Sequence, residues 1–296
     1  MVINKHGSFY MRSGWGTKII QTVDADEAIF SPQREQTAVD DMGLGRVMIK
    51  ALRYWSDALG LTEERKNQGG AIVKRKTHLF ELIDQYDRYF QRQGTLLLMH
   101  RNLATNKDNA TAWYWAFNEL AKTSFSKEEF VDAFFSYLAV NGMHIKKAAV
   151  DKEFNCFRNT YINSGKKTDK YSIMDEDTYS FLGPLHILKI NDEKKIEKVP
   201  LTKTDIPLNI LVYCIAMDNA DESKHQKQIS IDKLMEEKLQ VGKYFDLKYS
   251  KLIEMLMEAG NRGLLSLSNN FGNRFIEFFD IDYQELLDAF FVDGDK

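Results

Sequence analysis

Arg46, Lys50 and Arg53 lie four and three residues apart in the stretch DDMGLGRVMIKALRYWSDALGL, so a helix there carries all three on one face. Cations in such a row release counterions from a phosphate backbone, and that release supplies most non-specific affinity for nucleic acid. A second basic group follows closely. Lys74, Arg75 and Lys76 stand in an alternating segment after the turn Asn67-Gln68-Gly69-Gly70. A helix can enter the major groove of a duplex while a neighbouring hairpin tracks its backbone. Lys147, Lys152 and Arg158 offer further cations on a later helix, and Arg12 and Lys18 sit near the front of the chain. These eleven residues are the expected contacts to double-stranded DNA. The same pattern over 46–61 also fits a core helix with a solvated cationic rim.

Other chemistries leave weaker traces. The stretch GLGRVM lacks the third glycine of a dinucleotide fingerprint and the Gly-Lys-Ser/Thr of a phosphate loop. Gly43 therefore reads as a helix stop and Gly45 as a tight turn. The six histidines are scattered, with no H-E-x-x-H and no Cys/His cluster. His100, inside TLLLMHRNL, reads as a core histidine; His6 stands in an aromatic, glycine-bearing stretch. Metal-assisted phosphodiester cleavage needs carboxylates around a hard cation, often with a lysine near the attacking water. Asp175, Glu176 and Asp177 precede a strand that leads to Glu193 and Lys195. In a chain with 28% charged residues such a pattern also arises by chance. Trp113, Trp115 and Phe117 have the faces to stack bases, but their spacing is that of a core helix, with Asn118 tying helix ends. No catalytic residue and no metal ligand is assigned.

The elements that position these residues follow from patterning. The chain has 296 residues, 44% of them hydrophobic, and a net charge of −3. That total hides an asymmetry. Between Gly43 and Arg101 eleven basic residues face six acidic ones, whereas acids concentrate late in the chain. No apolar run approaches the roughly 18 residues of a membrane span. The N-terminal stretch lacks a signal peptide's apolar core, and Cys156 and Cys214 read as buried thiols; a cytoplasmic location is expected.

Short helices over 13–23 and 34–43 precede the basic helix and its hairpin. Val47, Ile49, Leu52, Tyr54, Trp55, Ala58, Leu59 and Leu61 are expected to form the apolar side of that helix. The order helix, turn, basic helix, hairpin is that of a winged helix-turn-helix. A similar order recurs with a capping box at Ser126 and Glu129, and again after Pro207 with an acidic balance. The expected class is α+β, mainly α with small β-hairpins, as three tandem winged-helix-like units over 1–105, 106–200 and 201–296.

Four segments carry a resemblance: HGSFYMRSGWGTKI, MGLGRVMIKALRYWSDALGL, LLLMHRNLATNKDNATAWYWAFNEL and DKEFNCFRNTYINS. In order and spacing they resemble a bacterial domain-of-unknown-function family found beside sulfurtransferase-like enzymes in DNA phosphorothioation gene clusters. That family includes the SspB component of an antiphage defence system. The Gly-Trp segment departs from the usual form, since Met11 precedes Arg12 and Ser13 separates it from Gly14-Trp15. The resemblance implies DNA binding and, for SspB-like members, nicking that opens one strand for sulfur to replace a non-bridging oxygen. Hydrolytic nicking would call for Mg²⁺ or Mn²⁺. Implied partners are double-stranded DNA and sulfur-transfer proteins, with self-association open for the acidic last third. A non-enzymatic DNA-binding adaptor or transcriptional regulator is the alternative.

Overall fold

Gly43 and Gly45 shape the entry to the basic helix. Gly43 sits at φ 64°, in the left-handed region that ends α2 (Glu35–Met42), while Gly45 is extended before α3 (Arg46–Ala58). The computed structural model describes residues 1–70, 72–163, 179–220, 228–270, 273–278 and 282–294. Before α2 comes α1 (Ser13–Ala25), whose Trp15, Ile19, Ile20 and Val23 are buried. After α3, strands β1 (Thr62–Lys66) and β2 (Ile72–Lys76) pair antiparallel with Glu64 opposite Lys74. Thr77 then caps α4 (His78–Tyr86) by accepting a bond from the Phe80 N–H.

At the centre lies α5 (Gln93–Thr105), buried from Gly94 to Ala104 except at Asn102. Aromatic α6 (Thr111–Asn118) is buried throughout, so Trp113, Trp115 and Phe117 are core. Then come β3 (Ser124–Phe125), α7 (Lys127–Val140), α8 (Lys147–Tyr161), β4 (Leu188–Ile190) and β5 (Ile196–Lys198). The capping box at Ser126 and Glu129 is formed, each side chain bonding the other's backbone N–H. The last third runs α9 (Leu208–Asp218), β6 (Gln228–Ser230), α10 (Ile231–Glu236), α11 (Val241–Tyr244), α12 (Tyr249–Asn261), β7 (Ser266–Asn270), β8 (Asn273–Glu277) and α13 (Tyr283–Asp293).

The chain is therefore α+β. In both three-stranded sheets the last strand is central: β3-β5-β4 in the middle third and β6-β8-β7 in the last. Each has the order helix, strand, helices, hairpin. In the first third β1 and β2 form a sheet of two strands.

Two consecutive residues of α5, His100 and Arg101, tie the thirds together, and Asn102 beside them ties α5 to the end of α3. His100 Nε2 donates to the Tyr244 carbonyl at 2.6 Å, and Nδ1 accepts from the Tyr161 hydroxyl at 2.9 Å. Burial lowers its pKa to about 4, opposed in part by the Tyr244 bond. Arg101 forms a buried ion pair with Asp218, which also accepts from the Tyr244 hydroxyl at 2.5 Å. Asn102 donates to the Leu59 carbonyl at 2.9 Å, past the end of α3. The last helix returns to this centre. Phe290 of α13 packs so closely on Gly94 that an added Cβ would collide with its ring. Arg92 donates to the carbonyls of Phe290 and Phe291 at 3.4 and 2.7 Å, a favourable charge at a helix C-terminus.

Candidate nucleic-acid interface

The apolar side of α3 buries Ile49, Ala51, Leu52, Trp55 and Ala58, leaving Arg46 and Lys50 exposed and Arg53 half-buried. Val47, expected on the apolar side, is 57% exposed. It precedes buried Ile49 by two residues, about 200° around a helix, and so points away from the core. The cationic row is real, but carboxylates trim it. Arg53 donates from Nε and Nη2 to Glu64 Oε2 at 2.9 and 2.7 Å. Arg46 lies 3.9 Å from Glu35 and 3.5 Å from the Gln36 amide oxygen. Lys50 forms no ion pair among the described residues.

The hairpin divides its cations differently. Lys74 is fully buried, with its ammonium held between Asp57 and Glu64, the latter at 3.0 Å, so it presents no charge directly at the surface. Alternation along β2 would place it beside Ile72, and the neighbouring acids make that burial tolerable. Arg75 is exposed on the opposite side. Lys76 pairs with Asp24 at 2.6 Å and lies over the Phe80 ring. The hydrogen bond that Lys76 donates to Asp24 outweighs partial burial and raises the Lys76 pKa.

The remaining expected cations are dispersed. Arg12 stacks on Tyr10 and Trp15, with centroid distances of 5.5 and 5.3 Å, and its buried Nε has no hydrogen-bond partner among the described residues. Lys18 donates to the Met42 carbonyl at 3.1 Å, serving the C-terminus of α2. On α8, Lys147 pairs with Asp132, Arg158 donates to the Asn159 side chain, and Lys152 is exposed.

One pocket of about 320 Å³ collects the chemistry that sequence spacing left apart. Its wall includes Lys5, Lys50, Arg53, Tyr54, Asp57 and Glu64. Lys5 arrives because the N-terminal segment is anchored beneath it. His6 is fully buried between Trp55 and Trp113, and its Nδ1 accepts from the Ser8 N–H at 3.1 Å. The ring proton therefore sits on Nε2 and is donated to buried Glu153 of α8 at 3.0 Å. Glu153 also accepts from the Asn4 N–H at 2.7 Å. Tyr54 donates its hydroxyl to the Asn109 carbonyl at 2.8 Å. Neither Lys5 nor Glu64 carries a periodic signal; only the fold joins them.

A larger cleft of about 560 Å³ runs beside His78, Arg101, Asn102 and Tyr213. Its main cation, Arg101, is already spent on Asp218 and the Asn102 side chain. Among the described residues no three His, Cys, Asp or Glu side chains converge to hold a metal ion. Asp175, Glu176 and Asp177 lie outside the described residues. Glu193 and Lys195 pair with each other at 2.9 Å in the β4–β5 turn. Also among the described residues, no helix is long and apolar enough to cross a membrane.

Residues 3–291 match the family described as a protein of unknown function, DUF4007. The chain belongs to the DUF4007 family. Two solved structures share the fold: a magnesium ion-bound SspB crystal structure and an SspB crystal structure. Each aligns at TM-score 0.80 and 20% identity, covering 98% of this chain and 88% of the other. A search of curated proteins gives no match. For this DUF4007 chain, the SspB likeness spans all three thirds rather than the basic helix alone.

Proposed function

We propose that this chain is the DNA-engaging component of a DNA phosphorothioation defence system, and that it nicks one strand so that sulfur can enter the backbone. The observation that carries the reading is the likeness to SspB over 98% of the chain. The cationic face of α3 supports it physically: Arg46 and Lys50 face solvent, with exposed Arg75 on the adjoining hairpin. Helix α3 is the element that meets the phosphates, and the hairpin is the wing. The recurring helix–strand–helices–hairpin order supports a tandem winged-helix organisation. Sulfur-transfer proteins are the proposed partners. No described residue is assigned to Mg²⁺ or Mn²⁺, since the described side chains bring no ligand set together.

The test is incubation of supercoiled plasmid with the protein and Mg²⁺ or Mn²⁺. Nicking gives open circles, and an Arg46/Lys50/Arg53 triple alanine variant loses that conversion in parallel with binding. The second reading, a non-enzymatic adaptor or regulator, is favoured by the twice-repeated hairpin architecture, which is suited to docking on a duplex without chemistry. Retention on DNA with no open circles under either metal would replace the first reading with the second.

A further inference from the structure

Three nitrogen donors, Arg53 Nε, Arg53 Nη2 and Lys74 Nζ, converge on a single carboxylate oxygen, Glu64 Oε2. That is how a phosphate oxygen is held between an arginine fork and a lysine. Glu64 occupies the place from within the chain, on strand β1, and its side chain remains 40% exposed to the pocket. Partial burial pushes the Glu64 pKa up, but hydrogen bonds from Arg53 and Lys74 outweigh it and hold the carboxyl below its usual range.

The surrounding charge does not balance. Lys5, Lys50 and Arg53 line the pocket and Lys74 lies beneath it, against the carboxylates of Asp57 and Glu64. Four cations meet two anions. Asp57 is committed elsewhere, to Lys74 and to the Thr62 hydroxyl at 2.7 Å. Among the described residues the Glu64 carboxylate is held by side chains alone, so its departure breaks no backbone bond of the hairpin.

We propose that this pocket is a phosphate site and that Glu64 is its built-in stand-in, a latch that a phosphate group displaces to take Arg53 while Lys5 and Lys50 close on it. The DNA source of that phosphate rests on the function proposed above, whereas the latch itself rests on this geometry. The arrangement gives the basic helix a threshold. A backbone phosphate must outcompete a tethered carboxylate before Arg53 counts as a contact, which lowers affinity for chance encounters with DNA.

The experiment compares wild type with Glu64→Gln, which keeps the shape of the side chain and removes its charge. Lys74 retains Asp57, and a thermal melt verifies folding of the variant. A second variant, Lys5→Gln/Lys50→Gln, leaves the latch untouched. Duplex affinity is measured by fluorescence anisotropy across a salt series, and inorganic phosphate is titrated separately by thermal shift. E64Q is expected to bind duplex about two- to fivefold more tightly, with a log–log salt slope steeper by about 0.9, because one more phosphate is engaged. The lysine double variant is expected to bind more weakly with a flatter slope. Unchanged or weaker duplex and phosphate binding by folded E64Q would overturn the latch. Should E64Q fail to fold, an unchanged affinity and salt slope in the lysine double variant would overturn the phosphate site. If E64Q gains only for inorganic phosphate, with no salt-sensitive duplex affinity in either protein, the latch stands and the DNA reading falls.

Discussion

The polar cluster on α5 and the polar cluster at the α3–hairpin junction use similar groups to opposite ends. On α5, His100 and Arg101 meet partners from the other thirds of the chain, Asn102 meets the end of α3 in its own third, and the one formal cation meets one buried carboxylate. At the junction, Arg53 and Lys74 share Glu64, Lys5 and Lys50 stand unpaired among the described residues, and the cluster opens on a pocket. A buried charge is tolerable only when it is matched, because desolvation of a lone ion costs several kcal/mol. The matched cluster holds the fold. The unmatched one, open to solvent, is where an outside anion finds its place.

The sharpest way to break this contrast is to unmatch the first cluster. Asp218→Ala leaves the Arg101 guanidinium buried without its carboxylate and frees the Tyr244 hydroxyl. Urea unfolding is expected to show a loss of about 3–5 kcal/mol. A loss below about 1 kcal/mol, the value of an exposed ion pair, would place Arg101 with the surface charges instead.

Acid sharpens the same contrast. His100 has a pKa of about 4 when folded, below the ordinary value of 6.5. A base with a lowered folded pKa binds its proton more readily in the unfolded chain. Its contribution is therefore intact above pH ~6.5 and declines as the pH falls toward 4, by up to roughly 3 kcal/mol. His100→Gln removes this titration. The stability gap between wild type and H100Q is expected to narrow over that window, measured by urea titrations at several pH values. A gap independent of pH would contradict the neutral, matched ring.

Much of the fold is legible in the sequence because its signals are local. Gly43 and the Ser126/Glu129 box each mark an element end that the structure reproduces. The aromatic run 113–117 reads correctly as core, and Asn118 does tie helix ends, donating to the Ala104 carbonyl and accepting from the Leu239 N–H. The tail is less legible. Leu286, Leu287, Phe290 and Phe291 are buried as α13 returns to the centre of the molecule, a return that no local signal in the sequence marks. The junction is legible only by halves. Spacing places Arg46, Lys50 and Arg53 together, but pairing across the hairpin, which buries Lys74 and brings Glu64 to Arg53, depends on contacts that no single-helix period encodes. Charge counting gives the excess of cations and misses which of them are spent.

The central claim is that the α3 face engages phosphates. The direct measurement is duplex affinity against salt for wild type and for Arg46→Ala/Lys50→Ala/Arg53→Ala, whose side chains lie outside the buried set of α3. The expected result is a salt-sensitive wild-type affinity and a variant whose log–log slope is flatter by roughly one for each phosphate no longer engaged, with stability nearly unchanged. An equal slope in the two proteins, or no salt-sensitive affinity in wild type, would contradict it.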